Sequence, residues 1–306
     1  MLIPNLTAKG GLTVDIRVLR YFLAVAREES ISGAAESLNL SQPTLSRQLM
    51  DLEEELGKSL FIRGSRRITL TEHGILLRKR ASEILDLVDK TTNELTAADD
   101  VVTGDVYIGA GETEAVHFLT RTARQMQKQY PQVHFHISSG DTADVVDQLD
   151  KGLIDFGLLL GDIDDKKYNV ITLPVYDVFG FIMLRDDPLA QKEYVTAEDM
   201  RGKPLIINRG VMEPSKIHDK PLFKNVVATY SLIYNGSLMV ADGLGYMFCL
   251  DKILNLSGDN PLCFRPFMPQ IKVNIGIAWK KFQVFSKASE KFLTLLRNEL
   301  MQQDSD

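Results

Sequence analysis

The 306-residue chain is poor in the features that mark exported, membrane-bound or metal-dependent proteins. It has two cysteines, Cys249 and Cys263, too few for a disulfide scaffold and suited to a reducing cytoplasm. No apolar run approaches the ~18 residues of a membrane span. Met1 to Gly11 offers neither the basic segment nor the apolar core of a secretory signal. Of five histidines, His134 and His136 flank Phe135 and share one face of a strand, yet no third ligand stands near them, so no metal is expected. The cysteines have no Cys-x-x-Cys spacing and read as buried small residues rather than nucleophiles. Gly109-x-Gly111 follows a strand, but the third glycine of a dinucleotide fingerprint would fall on Glu114, and no Walker-type lysine loop is present. No cofactor and no catalytic residue can be assigned. A surplus of positive charge is missing too: 35 Lys and Arg face 41 Asp and Glu, a net charge of −6, which taken alone argues against nucleic acid as a partner.

What is present is a globular balance, 44% hydrophobic and 25% charged, with length for two domains or three. The acidity is not evenly spread. Residues 1–70 hold nine Lys and Arg against eight Asp and Glu, whereas residues 99–306 hold 22 against 28. Within the first part Arg63, Arg66 and Arg67 cluster without an acid between them. Such a patch is either a solvated turn or the electrostatic footprint of phosphate binding.

The first seventy residues carry helical periodicity. Val18, Leu19, Phe22, Leu23, Val25 and Ala26 give a one-sided helix over Arg17 to Arg27. A short helix is expected from about Ser32, as N-cap, to Leu38, with Ala34 and Ala35 permitting close packing. After a turn at Asn39-Leu40, Ser41 caps a third helix with Pro43 in its first turn and Gly57 as terminator. Leu45, Leu49, Leu52 and Leu56 form its buried stripe, while Gln42, Thr44, Ser46, Arg47 and Gln48 occupy the other face. Those side chain types reach base edges and phosphates in a major groove. Leu60 to Arg63 and Ile68 to Leu70 then read as two strands around a basic turn, a wing. The same pattern also fits a generic αα-hairpin with a solvated polar face.

Ala34-Ala35, Leu38, Ser41-Gln42-Pro43, Ser46, Leu52-Glu53, Leu56-Gly57, Leu60-Phe61, Arg63 and Leu70-Thr71-Glu72-His73-Gly74 resemble the N-terminal signature of LysR-type transcriptional regulators. His73 departs from the family's usual alanine. The resemblance implies an α+β multidomain protein: a winged helix-turn-helix (residues 15–72), a linker helix (73–99) and a two-lobed α/β effector domain (100–302) similar to periplasmic solute-binding proteins. Lobe I would span about 100–172 and 273–302, and lobe II about 173–272. It implies DNA contacts by Ser32, Ser41, Gln42, Pro43, Thr44, Ser46, Arg47, Arg63, Arg66 and Arg67. It also implies a cytoplasmic homodimer, assembling to a homotetramer, with double-stranded promoter DNA and a small-molecule effector as partners and RNA polymerase as an open third. Residues 1–14 precede the usual family start. Lys9-Gly10-Gly11 can be encoded by a ribosome-binding sequence ahead of Val14, a codon for which can initiate, so this stretch is expected to be translated leader or a disordered arm.

From Thr71 to Ala97 there is no proline. Leu77, Ala81, Ile84, Val88, Thr91 and Leu95 recur as a heptad-like seam for a second copy of the helix, although packing on its own domain would use the same stripe. Beyond Gly104, strands alternate with helices, which implies parallel sheet. Strands are expected at Val106 to Ile108, Val133 to Ser138, Ile154 to Leu160, Ile171 to Val175, Val178 to Leu184, Leu205 to Ile207, Tyr246 to Leu250 and Val273 to Trp279. Helices are expected at Thr113 to Gln129, Thr142 to Lys151, near Ser231 to Asp242, and at Phe285 to Met301. Gly152-Leu153-Ile154-Asp155 and Gly243-Leu244-Gly245 resemble family turns.

Effector contacts are expected at strand ends and helix starts: Ala110, Gly111, Glu112, Thr113, Thr142, Asn208, Arg209, Asn235 and Ser237. Thr113 and Thr142 are equally suited to act as N-caps. Arg209 suits a carboxylate or phosphate, and Glu112 suits either Arg209 or a cationic ligand. The rival readings are an enzyme with a fused DNA-binding head and an exported solute-binding protein.

Overall fold

The computed structural model describes residues 14–64, 67–96, 101–211 and 221–303. Residues 1–13 of the expected leader, Ser65 and Arg66 lie outside them. The chain divides into two compact units, Met1–Thr96 and Ala97–Asp306.

The first unit opens with α1 (Ile16–Glu28), capped by the Asp15 carboxylate on the Arg17 N–H. Helix α2 (Ile31–Ser37) is capped by Ser30, whose hydroxyl accepts from the Gly33 N–H, and not by Ser32. Ser32 is exposed inside the first turn. Asn39 takes a positive φ of 54° in the turn that follows. Helix α3 (Gln42–Leu56) starts at Ser41 and stops at Gly57, which adopts the left-handed conformation open to glycine. Its leucines Leu45, Leu49 and Leu52 join Phe22, Val25, Ala34 and Ala35 in a single core. Strands β1 (Phe61–Arg63) and β2 (Ile68–Leu70) form the antiparallel wing hairpin.

Helix α4 (Glu72–Thr96) follows at once. Its expected seam is split. Leu77 packs against the core of its own domain, and Ala81 is fully buried there together with Leu85. Ala81 therefore faces α1 rather than a second copy. Ile84, Leu87 and Leu95 remain exposed, and Val88 is half-buried.

The second unit is built on one long strand. β3 (Gly104–Ala110), β4 (Val133–Ser139) and β5 (Phe156–Leu160) pair in parallel in the order β4-β3-β5. The expected strands at Ile171 to Val175 and Val178 to Leu184 are one element, β6 (Tyr168–Leu184), seventeen residues long. Short β7 (Val195–Thr196) is followed by β8 (Leu205–Asn208), β9 (Val226–Tyr230), β10 (Tyr246–Leu250), β11 (Leu262–Met268) and β12 (Lys272–Lys280). β12 pairs antiparallel with β5 and with the N-terminal part of β6, completing lobe I. β10 and β11 flank the C-terminal part of β6, and β8 and β9 extend lobe II beyond β10. β6 thus belongs to both lobes.

Helix α5 (Val116–Gln129) and the closing helix α8 (Lys287–Gln303) cover one face of lobe I, where Phe156, Trp279, Phe292 and Leu296 pack. Helix α6 (Thr142–Lys151) covers the other face through Val145 and Leu149. Helix α7 (Ile233–Ala241) lies on lobe II through Ile233 and Val240. Among the described residues no helix is long and apolar enough to cross a membrane.

Candidate nucleic-acid interface and ligand cleft

The N-terminal end of α3 presents the side chains expected to meet DNA. Gln42, Pro43, Thr44 and Arg47 are exposed and Ser46 is half-buried, with the leucine stripe turned to the core. Ser41 serves the helix itself: its hydroxyl accepts from the Thr44 N–H at 3.3 Å and lies 2.7 Å from the Thr44 hydroxyl. Arg47 has no hydrogen-bond or ion-pair partner among the described residues. A guanidinium held out on a rigid helix start, unpaired, is ready for a phosphate or a guanine edge.

The wing is bolted to α3 from inside. A single Glu53 oxygen accepts the N–H groups of Leu60 (2.5 Å) and Phe61 (3.2 Å). The Thr71 hydroxyl donates to the Ser59 carbonyl and accepts from the Gly74 N–H at the start of α4. A Cβ on Gly74 would sit 2.2 Å from the Leu60 carbonyl oxygen, so only glycine fits. The residues that carry the family resemblance at Leu52-Glu53 and Thr71 to Gly74 are therefore joinery for the wing. Arg67 reaches Glu29 at 3.3 Å, a pair exposed on both sides and weak in water. Arg63 stands on β1 opposite Ile68, and its side chain and all of Arg66 lie outside the described residues.

In the second unit the expected ligand contacts are divided between the two lobes, and several already have hydrogen-bond partners. Thr113 does not cap α5, which begins at Val116 without a side-chain cap. Its hydroxyl donates to Asp177 at 2.5 Å and accepts the Ala115 N–H. Asp177 is a buried carboxyl on β6, in the gap between the two strands expected there. Burial pushes its pKa up, the Thr113 hydroxyl bond opposes that, and nearby Asp251 adds to the rise. Thr142 is not the cap of α6 either. Asp141 is, in a reciprocal capping box with Asp144, while Thr142 donates to the Leu160 carbonyl.

On lobe II, the Asn208 carbonyl oxygen of the side chain accepts from the Gly210 N–H, and Arg209 is exposed. Ser237 is buried and donates to the Tyr234 carbonyl of its own helix, while Asn235 is exposed. Ala110 is buried at the end of β3, and a Cβ on Gly111 would lie 3.0 Å from Leu160. Glu112 bonds to a backbone N–H rather than to Arg209. It accepts the Ile233 N–H across the lobes.

β10 and β11 lie on opposite sides of β6, and Cys249 stands opposite Gly180 while Cys263 stands opposite Met183, so the two are two strand spacings apart across the sheet and three residues apart along it, about 14 Å in all. Burial pushes both thiols above their usual range, Cys249 far above it. His136, one of the two strand histidines, is stacked on Tyr107 and bonded to Asp105 at 2.9 Å.

Comparisons with known proteins bear on the whole chain. The family described as "Bacterial regulatory helix-turn-helix protein, lysR family" matches residues 16–75, and the "LysR substrate binding domain" matches residues 99–301. The HTH-type transcriptional regulator YfeR of Shigella flexneri is 24% identical over 295 residues, 94% of this chain and 95% of that protein. A hydrogen peroxide-inducible genes activator of Pectobacterium carotovorum subsp. carotovorum is 29% identical over 195 residues, 63% of this chain and 64% of that protein. The crystal structure of full-length CbnR complexed with its target DNA has a TM-score of 0.69 at 20% identity, covering 93% of this chain and 99% of that one. At that identity the likeness concerns the fold.

Proposed function

The chain belongs to the LysR family of bacterial regulatory helix-turn-helix proteins, and from that premise we propose how its parts divide the work. Residues 15–72 bind promoter DNA, residues 73–99 join two copies, and residues 100–302 take up a small-molecule effector between the lobes. In this reading α3 enters the major groove with Gln42, Thr44, Ser46 and Arg47, and the wing arginines meet the backbone. The protein acts in the cytoplasm as a dimer, or a dimer of dimers, because one helix-turn-helix spans too few bases for strong selectivity. It has no catalytic duty of its own. RNA polymerase is a further partner of the bound state.

The observation that carries this reading is the polarity of α3, with its leucines buried and its N-terminal polar face exposed next to an unpaired Arg47. Electrophoretic shift with the DNA upstream of the gene tests it. Affinity should fall steeply with salt through counterion release. Arg47→Ala should weaken specific binding by about 10- to 100-fold, the worth of one good base contact, with an unchanged melting temperature. Retained operator affinity in that variant would refute the groove role.

The peroxide-responsive relative suggests a thiol switch as a second mode of sensing. An internal disulfide needs Cα atoms within about 7 Å. Cys249 and Cys263 are held on opposite flanks of a shared strand, so the reading favours a reversibly bound effector instead.

A further inference from the structure

The loop between β3 and α5 reaches out of lobe I in two directions. Glu112 sends its carboxylate to the first N–H of α7, at Ile233, 3.3 Å away on lobe II. Helix α7 has Leu232 as its N-cap, which has no side-chain oxygen to offer. The acceptor at this helix start is supplied from across the cleft, by a residue 121 positions earlier in the chain. The adjacent Thr113 fastens the same loop to Asp177, in the part of β6 that passes between the lobes. Farther along the rim the lobes also close tightly. A Cβ on Gly210 of lobe II would lie 2.8 Å from an Asp141 carboxylate oxygen and 3.0 Å from its Cβ on lobe I.

We propose that Glu112 is an inter-lobe latch. Its carboxylate serves as the missing cap of α7 from the opposite lobe and so holds the cleft shut when no effector is present. The physical reason is satisfaction of paired groups. An N–H at a helix start and a half-buried carboxylate each lose a partner when the lobes part. Glu112 is half-buried, and its pKa is raised by burial against the opposing pull of the Ile233 N–H. The bond therefore forms where water has been partly excluded. Any ligand that opens the cleft must break this contact, and any ligand that works with the cleft closed must leave it in place. This rests on the reading of the second unit as an effector-responsive pair of lobes.

The test uses the full chain and two readouts that need neither DNA nor effector. Hydrogen exchange followed by mass spectrometry reports on the segment 231–236. Spin labels at exposed Thr120 on α5 and Leu238 on α7 report the spacing of the lobes; the two native cysteines are buried and should not compete for label. Glu112→Ala should speed exchange of the Ile233 amide by about tenfold or more and lengthen the label distance. Acetate should slow that exchange again in the variant and leave the native protein unaffected. Glu112→Gln keeps the shape and an acceptor oxygen without the charge, and should fall between the two. It also carries the test if the alanine variant fails to fold. Unchanged exchange or an unchanged label distance in the folded variants overturns the latch. Failure of promoter binding would instead overturn the regulator reading and leave this result standing.

Discussion

Replacing Asp155 should damage lobe I far more than its single position suggests. One of its oxygens accepts two hydrogen bonds, from the Tyr107 N–H on β3 and from the Ser289 hydroxyl on α8, each at 2.9 Å. Its own N–H returns to the Tyr107 carbonyl at 2.8 Å. The residue is buried, so water cannot stand in for it. Asp155→Ala strands two donors, each worth about 1–3 kcal/mol when left unmet in the interior, for a total of about 2–6 kcal/mol. In a domain of about 200 residues that is a drop of about 4–24 °C in melting temperature. Ser289→Ala removes only one donor and leaves the carboxylate its backbone bond, so it should cost about 1 kcal/mol. The assay is built in. Trp279 is the only tryptophan in the chain, it is buried in this lobe, and its ring meets the edge of Phe156, the residue after Asp155. Urea unfolding followed by its fluorescence therefore reads lobe I directly. If Asp155→Ala lies within 1 kcal/mol of the parent, or if Ser289→Ala costs as much, the reasoning is wrong.

The other predictions concern the first unit. Glu53→Ala should free the Leu60 and Phe61 N–H groups, lower the stability of the DNA-binding unit by about 1–3 kcal/mol and weaken DNA binding through a loosened wing; a Glu53→Ala protein with native amide exchange at Leu60 and Phe61 would count against this. Leu87→Glu should shift the chain toward the monomer in sedimentation without melting α4, since Leu87 is exposed on the outward stripe. Ala81→Glu should instead unfold the unit, because Ala81 has no exposed surface. Equal effects of the two substitutions would show that α4 packs some other way.

Much of this architecture can be read from the chain because its local signals agree. The leucine stripe of α3, Gly57 as terminator and the apolar face of α8 each follow from periodicity and from what glycine alone can do. The misplaced caps share one cause. Ser30 and Ser32, like Asp141 and Thr142, are capping residues one or two positions apart, and composition does not choose between them. Geometry does, as when Asp144 closes the box with Asp141. Thr113 is not the cap of α5 for a different reason, since its partner Asp177 is 64 residues away. The seam of α4 shows the limit of periodicity itself. Leu77, Ala81 and Leu85 turn inward and Ile84, Leu87 and Leu95 outward, so a single 25-residue helix carries two adjoining stripes that one heptad pattern runs together. Glu112 was recognised as a rim residue, but its partner is a backbone N–H, which no side-chain pattern announces.

The seventeen residues of β6 have a mechanical consequence. Two lobes joined by loose chain would swing about a free pivot with no preferred angle. Here the join is a hydrogen-bonded ribbon, β6 with β12 alongside it, and its pairing slips register between Asn274 and Gly276. Turning one lobe against the other must wind or unwind that ribbon, so the connection behaves as a torsion bar with a rest angle and a restoring torque. Parting the lobes is therefore opposed by the paired backbone of β6 and β12 rather than left to loose chain.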